Sequence, residues 1–211
     1  MGRARSFDDQ DVLERATRLF WRQGYKGTSM RDLVEATGLA KASIYNAFGT
    51  KEDLFKSVLS YYIDKKQTHS LSFLEGGSNG REALLAYFNN VLCVTLENQS
   101  TAGCLLVNTA TEQCATDTAM KGLVDHGMER TQRTLISTVA RGIEDGSIAP
   151  SVDAETAGLC LMGTLLAIRV MARKGVDTQW VTKLIRANLE AHIPACMPSA
   201  VSTGSVTGYR H

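Results

Sequence analysis

Residues 37–48 read TGLAKASIYNAF, a short helical pattern that follows a glycine directly. Gly38 adopts the left-handed backbone conformation freely, so the chain can end one helix there and begin another near Ala40. At about 100° per residue, Ile44 and Phe48 fall on one face of this second helix. The stretch therefore predicts two short helices joined by a tight turn, the second with an apolar face that packs inward.

The flanking sequence predicts further helices on both sides of this turn. Residues 7–25 carry apolar side chains at the spacing of one helical face, namely Val12, Ala16, Leu19 and Phe20. The next helix begins at Thr28 or Ser29, since either hydroxyl can cap it, and ends at the turn. Residues 50–53 read TKED, a capping box that starts another helix after Gly49.

Two short helices joined by a glycine turn are typical of the helix-turn-helix, whose second helix enters the major groove of DNA. The residues opposite Ile44 suit that role, because Asn46 can pair with an adenine edge and Ala42 can contact a thymine methyl group. The neighbouring side chains that can donate to phosphates are Lys41, Ser43 and Tyr45. A surface helix of an all-α domain is the alternative interpretation.

Further phosphate contacts are expected beside this helix. Backbone amides at positive helix ends bind phosphate well, which adds the candidates Thr28, Ser29, Thr50 and Lys51. The basic arm formed by Arg3 and Arg5 can reach an adjacent minor groove. Residues 1–66 hold 12 Lys or Arg against 9 Asp or Glu, and the other 145 residues hold 11 against 13. The basic end of the chain is therefore the end with the helix-turn-helix.

Composition indicates an ordinary globular protein, with 211 residues that are 44% hydrophobic and 21% charged. The longest apolar run, residues 157–172, is interrupted by Arg169 and is shorter than the roughly 20 residues that span a bilayer. It predicts a buried helix and no membrane partner. No export signal is evident, and five cysteines without CxxC spacing fit reduced thiols. We therefore expect a cytoplasmic location.

The remainder of the chain also has helical periodicity, which makes the predicted fold all-α. Residues 51–74 form a helix of roughly 36 Å that can connect two domains. The helices expected after it cover 81–98, 102–114, 116–144, 153–173 and 177–192. We predict a DNA-binding domain at 1–50, a ligand-binding and dimerisation domain at 51–197, and a disordered tail rich in Ser, Thr and Gly at 198–211.

The run TSMRDLVEATGLAKASIYNAFGTKEDLF (28–55), preceded by LFWRQGY, resembles the DNA-binding domain of the tetracycline-repressor (TetR) family. Asn46 stands where many members carry His, so base preference does not transfer. The resemblance implies a homodimer, paired through the last two helices, that represses transcription from a palindromic DNA operator. It also implies an unidentified small-molecule effector that relieves repression; activators are a minority of the family. No cofactor is expected.

The expected effector domain contains polar residues in apolar surroundings. Such groups need partners, and a ligand is one kind of partner, although ion pairs and helix caps are the more common kind. Aromatic residues at helical spacing similarly line pockets or fill cores. The candidate ligand-binding residues are Tyr62, Tyr87, Cys104, Asn108, Glu112, Met162 and Arg169.

Other functions are weighed against this one. Relatives that resemble the GCLLVN stretch respond to electrophiles, which makes Cys104 and Cys114 candidate sensors, although neither has a basic neighbour that would activate it. No metal site is predicted, because His69, His126 and His192 lack ligand spacing. No enzyme is predicted, because no catalytic motif accompanies the DHGME segment. A protein-binding adaptor would show no dependence on DNA sequence or salt.

Overall fold

The structure is a computed structural model that describes residues 8–97, 103–112, 118–173, 175 and 177–196. Within these ranges it contains ten α-helices, one π-helical turn and no β-strand, which confirms the all-α prediction. Ile148 and Ala195 form one isolated antiparallel bridge. The predicted arm with Arg3 and Arg5, the sensor candidate Cys114 and the tail at 198–211 lie outside the described residues.

Three helices form the N-terminal unit: α1 (Asp9–Gly27), α2 (Met30–Thr37) and α3 (Lys41–Phe48). Gly38 has φ 73°, the left-handed conformation that the turn requires, and Ser29 caps α2 in a capping box with Asp32. Thr28 differs from the expectation that it begins α2. It follows the last turn of α1, after a break at Gly24 (φ 76°), and its hydroxyl donates to the Gly24 carbonyl at 2.7 Å.

The N-terminal helices share their hydrophobic core with helices that follow them. Phe20, Leu33 and Ile44 are fully buried against the next helix, α4 (Lys51–Tyr61), and the ring centroids of Phe20 and Phe55 are 4.8 Å apart. The same cluster continues into two later helices through Leu105, Leu106, Met120 and Val124. The first three helices therefore have no core of their own.

The helix predicted at 51–74 is continuous, but it is not α-helical throughout. A π-helical turn (Tyr62–Gln67) separates α4 from α5 (Thr68–Glu75). A π-helical turn holds one more residue than an α-helical turn, so it rotates the faces of α5 relative to α4. Helical periodicity gave no sign of this change.

The larger helical unit comprises α6 (Gly80–Glu97), α7 (Leu105–Glu112), α8 (Thr118–Glu144), α9 (Ala154–Ala172) and α10 (Thr178–His192). Two glycines allow close helix crossings here. A Cβ on Gly80 would lie 2.7 Å from the Thr138 carbonyl oxygen, and one on Gly158 would lie 2.9 Å from Ile136 Cα. Backbone therefore packs on backbone at both crossings, which fixes α6 and α9 against α8.

The last two helices leave large apolar side chains on the surface. On α9, Leu159 and Val170 are 46% and 49% exposed, and on α10 Trp180 is 43% exposed. The opposite side of α9 is buried, through Ala157, Leu161, Leu165 and Ile168. By length and composition alone α9 could cross a membrane. In this fold it is a core helix that also presents an apolar face to solvent.

Candidate DNA-binding surface and effector cavity

The outer face of α3 carries the side chains that the sequence predicts for DNA reading. Lys41, Ala42, Tyr45 and Asn46 are exposed, Ser43 is half-buried, and Ile44 on the opposite face is fully buried. The Lys41 ammonium group lies 5.8 Å from the Tyr45 ring centroid. Burial of Ile44 fixes the rotation of α3, so base-reading and phosphate-binding groups face solvent together.

Helix starts beside α3 already use their polar groups within the protein. The Ser29 and Thr50 hydroxyls donate to Asp32 and Asp53 at 2.7 and 2.6 Å, and the backbone N–H of each capping residue donates to the same carboxylate. These hydrogen bonds lower the pKa of Asp32 and Asp53. Phosphate contact at Ser29 or Thr50 therefore stays a prediction that requires exchange of an intramolecular bond.

Two further candidates have intramolecular roles that the sequence did not indicate. Thr28 is 1% exposed and its backbone N–H donates to the Tyr25 carbonyl at 3.4 Å, so phosphate contact through this amide stays a prediction that requires exchange of that bond. The Lys51 ammonium group lies 4.3 Å from the Tyr25 ring centroid, and partial burial lowers the pKa of Lys51, which Asp32 partly opposes. Lys51 is half-buried and stays a candidate, but it is held by an aromatic ring.

A cavity of about 190 Å³ lies where the π-helical turn meets α1 and the helices of the larger unit. Five of the seven predicted ligand-binding residues line it: Tyr62, Tyr87, Cys104, Met162 and Arg169. Their sequence separations are large: Tyr62 lies in the π-helical turn, Tyr87 on α6, Cys104 just before α7, and Met162 and Arg169 on α9, and the fold brings them to one cavity. The structure thus supplies one partly open cavity for most of the predicted set.

Asn108 and Glu112, the other two candidates, lie outside the cavity lining. Asn108 is buried in α7 beside Gly103. The Glu112 carboxylate accepts a hydrogen bond from the Tyr25 backbone N–H and lies 3.6 Å from Arg173. Neither side chain lines the cavity, so ligand contact at Asn108 and Glu112 stays a prediction that this cavity does not support.

The phenols of the cavity are held in their protonated form. Burial raises the pKa of the Tyr62 hydroxyl well above its usual range, and the neighbouring Cys104 adds to this shift. Burial raises the pKa of Tyr87 to about 12, and the positive charge of Arg169 opposes the rise. The Tyr62 hydroxyl lies 3.6 Å from the Cys104 sulfur. Both phenols are therefore hydrogen-bond donors at neutral pH.

Several cavity residues were not foreseen from the sequence. Trp21 comes from α1, so a residue of the N-terminal unit lines the cavity directly, and its indole N–H donates to the Gly103 carbonyl at 3.2 Å. Two more are Gln67, the last residue of the π-helical turn, and Ser70, in the first turn of α5. Their positions depend on the extra residue in that turn, which periodicity alone does not indicate.

A surface-exposed helix-turn-helix joined by one helix to a larger helical unit is the architecture of a DNA-binding regulator. Comparison with known families gives the same class. Residues 12–58 match the model "Bacterial regulatory proteins, tetR family", and residues 80–188 match "Tetracyclin repressor-like, C-terminal domain". The chain belongs to the TetR family of transcriptional regulators, as its resemblance implied.

Individual relatives extend over most of the chain. It is 30% identical to the HTH-type transcriptional repressor ComR of Escherichia coli, over 89% of this chain and 90% of that protein. It is 29% identical to the uncharacterized regulator YezE of Bacillus subtilis, over 70% and 76%. Among solved structures, a cysteine mutant of the TetR-family regulator CifR complexed with 26-base-pair operator DNA matches with TM-score 0.80 and 28% identity, over 90% of this chain and 99% of that one.

Proposed function

We propose that this protein is a cytoplasmic homodimeric repressor that binds a palindromic operator through α3 and releases it when a small molecule enters the cavity. The observation that carries the proposal is the exposed face of α3, where Lys41, Tyr45 and Asn46 surround Ala42 while Ile44 is buried. Asn46 reads bases and the charged or hydroxyl-bearing neighbours hold the phosphate backbone. The structure of CifR on operator DNA supports this assignment by likeness.

Dimerisation is proposed through the apolar faces of α9 and α10. Leu159, Val170 and Trp180 are exposed there, and Gly163 lies on the exposed side of α9 with no other atom within 4 Å of where its Cβ would stand. Large apolar side chains around a glycine suit close helix packing against a second copy. Two copies would then place two α3 helices on the half-sites of a palindrome.

The proposed route for the signal starts where the cavity meets α1 and the continuous helix formed by α4, the π-helical turn and α5. Trp21 of α1 and Tyr62 of the π-helical turn both line the cavity, with ring centroids 5.3 Å apart. A ligand in the cavity therefore touches the N-terminal unit without an intermediary. It relieves repression to the extent that it binds the non-DNA-binding conformation more tightly. In this proposal the DNA-binding domain (1–50) supplies Trp21 to the cavity, and the regulatory domain (51–197) supplies Tyr62.

The first experiment is a selection from random DNA with the purified protein at moderate salt, followed by sequencing. A twofold-symmetric motif is the expected result. Asn46→Ala should then lose more affinity for the selected operator than for random DNA, because a bidentate base contact contributes about 1–3 kcal/mol of discrimination. An equal loss on both DNAs would remove Asn46 from base reading.

Lys41→Ala should weaken binding to operator and random DNA alike and reduce the salt slope by about one. The matched control is Lys121→Ala, an exposed lysine of α8 paired with Asp125. The control should leave both affinities unchanged. No enriched motif from a folded protein would favour the protein-binding adaptor instead.

Cys104 supports a second candidate trigger. Its sulfur lies beside the Tyr62 hydroxyl in the cavity, so modification of this thiol would change the same contacts as a bound ligand. N-ethylmaleimide should then release operator DNA from the wild type but not from Cys104→Ser. Cys93→Ser, which removes an exposed thiol of α6, is the control that keeps the response. Release that persists in Cys104→Ser would exclude this trigger.

A further inference from the structure

Gln67 has an unmet hydrogen-bonding requirement in the cavity wall. Its Nε2 donates to the Gly127 carbonyl at 2.6 Å and to the Thr131 hydroxyl at 2.8 Å. A carbonyl only accepts, so the amide orientation is fixed and Oε1 is left as the acceptor. This oxygen is buried, and none of the described residues donates to it, although Gln67 as a whole is 8% exposed and lines the cavity. Native proteins rarely leave such an acceptor unpaired.

Arg169 is a second unsatisfied group in the same wall. It is half-buried and makes no ion pair or hydrogen bond with the residues that the structure describes. Arg173, which caps the C-terminal end of α9, lies beside the Glu112 carboxylate instead. Lys66 also lines the cavity, but its ammonium group lies 3.8 Å from Glu14. Among the described residues, no carboxylate therefore holds the Arg169 guanidinium, and an anion in the cavity could pair with it.

The surrounding side chains favour an anionic ligand. Among the described residues, no Asp or Glu lines the cavity. Tyr62 and Tyr87 present protonated phenols near Arg169, and Ser70 Oγ is buried beside the Tyr87 hydroxyl without a hydrogen bond of normal geometry. Hydrogen-bond donors and the positive charges of Arg169 and Lys66 thus accompany a wall of mainly apolar and aromatic side chains that also includes His69, Asn90 and Thr131. A carboxylate accepts from such donors, and an apolar body fits the rest of the wall.

The size of the cavity limits that body to about one ring. An apolar cavity of roughly 150 Å³ holds benzene, and this one measures about 190 Å³. We propose that the cavity binds a small organic acid with a single apolar ring, its carboxylate held by Arg169 and a hydroxyl substituent donating to Gln67 Oε1. This ligand class deepens the proposed repressor function, on which its regulatory meaning rests.

Calorimetric titration of the full-length protein tests the assignment directly. The probes are benzoate, its three monohydroxy isomers, and the primary amide of each acid, which keeps the shape without the charge. At least one acid should bind about ten- to a hundredfold more tightly than its amide, because charge-assisted hydrogen bonds are the stronger kind. At least one hydroxy isomer should bind about three- to tenfold more tightly than benzoate.

Two variants connect these preferences to the named residues. Arg169→Gln should remove the preference for acid over amide while the affinity for the amide stays unchanged. Arg173→Gln, at the C-terminal end of the same helix and outside the cavity, is the matched control and should keep the preference. Gln67→Met should remove the gain from the hydroxyl group. The comparison of hydroxy isomers with benzoate in the wild type tests that contact even if this variant does not fold.

Equal affinity for acid and amide, a preference that survives Arg169→Gln, or no binding in the whole panel would overturn the assignment. Operator binding measured in parallel separates this result from the proposed function. A protein that binds operator but no acid retains the repressor function and loses the ligand class. A protein that binds the acids through Arg169 but recognises no DNA sequence retains the ligand class and loses the repressor function.

Discussion

The Glu112 carboxylate on α7 accepts a hydrogen bond from the Tyr25 backbone N–H at 3.1 Å, which joins the larger helical unit to the end of α1. It does so beside Gly24, where φ is 76° and a Cβ would lie 2.7 Å from one carboxylate oxygen. The guanidinium of Arg173, at the C-terminal end of α9, lies 3.6 Å from the same carboxylate. Because α1 is broken at Gly24, the Tyr25 backbone N–H can donate to a side chain of α7. This contact therefore lies directly before the helices that carry the DNA-binding face.

Glu112→Ala should destabilise the protein and weaken the response of DNA binding to effector. The variant leaves the partly buried Tyr25 N–H without this acceptor, a loss of about 1–2 kcal/mol. Urea unfolding gives the stability change, and operator titrations with and without effector give the coupling. Glu129→Ala, an exposed glutamate of α8, is the control. Unchanged coupling in Glu112→Ala would show that the contact is only structural.

The two capping boxes should make part of the stability depend on acid pH. Hydrogen bonds from Ser29 and Thr50 lower the pKa of Asp32 and Asp53 below the ordinary value of 3.8. A depressed pKa gives stability that is present above about pH 4 and is lost as pH falls further. The double variant Asp32→Asn/Asp53→Asn should therefore have a lower urea midpoint than wild type at pH 7, and the difference should shrink toward pH 3.

Asp64→Asn is the control for that pH series, since Asp64 is exposed on the π-helical turn. Its urea midpoint should follow the wild type at every pH. A gap between the double variant and wild type that stays constant from pH 7 to pH 3 would contradict the role of the capping carboxylates.

Gly163→Leu should convert the proposed dimer into a monomer. Its Cβ meets no atom within 4 Å in the single chain, so the substitution costs nothing inside the fold but obstructs close packing of α9 on a second copy. Gly122→Leu on α8 is a matched control, being another exposed helical glycine with open space around it. Sedimentation should give a monomer for the first and a dimer for the second. If both variants sediment as dimers, the dimer interface does not include this face of α9.

Gly80→Ala should destabilise the larger unit by about 1–3 kcal/mol, the usual cost of overpacking. An added methyl group would lie 2.5 Å from Gly142 Cα and 2.7 Å from the Thr138 carbonyl oxygen, and backbone cannot move aside as a side chain can. Gly122→Ala should be neutral or stabilising, since alanine favours helix and nothing is crowded there. Equal stability of the two variants in urea would show that the crossing of α6 on α8 relaxes easily.

The sequence predicted the helix-turn-helix well because its signals are local. Gly38 at the turn, the capping residues Ser29 and Thr50, and buried Ile44 opposite Asn46 each follow from a short stretch of chain. Five cavity residues were also predicted, because polar and aromatic side chains in apolar helices stand out in sequence. These predictions needed no knowledge of which helices pack together.

The remainder depended on contacts between distant segments. Glu112 looked like a ligand contact, but its partner is a backbone N–H 87 residues earlier that only the fold brings near. Gln67 gave no signal, because its unpaired oxygen results from how the π-helical turn meets Gly127 and Thr131. Thr28 and Ser29 were equally good caps in sequence, and burial of Thr28 against Gly24 decides between them.

The hydrophobic cluster that α1–α3 share with later helices limits which domains of relatives can be joined to this helix-turn-helix. Phe20 and Ile44 belong to one cluster with Leu106 and Val124, which lie far along the chain in α7 and α8 of the larger helical unit. A chimera that keeps the helix-turn-helix and takes the larger helical unit of a relative would have to match those apolar surfaces as well as the linking helix. New pairings of operator and effector should therefore arise more readily by exchange of side chains on α3 or in the cavity than by recombination of halves.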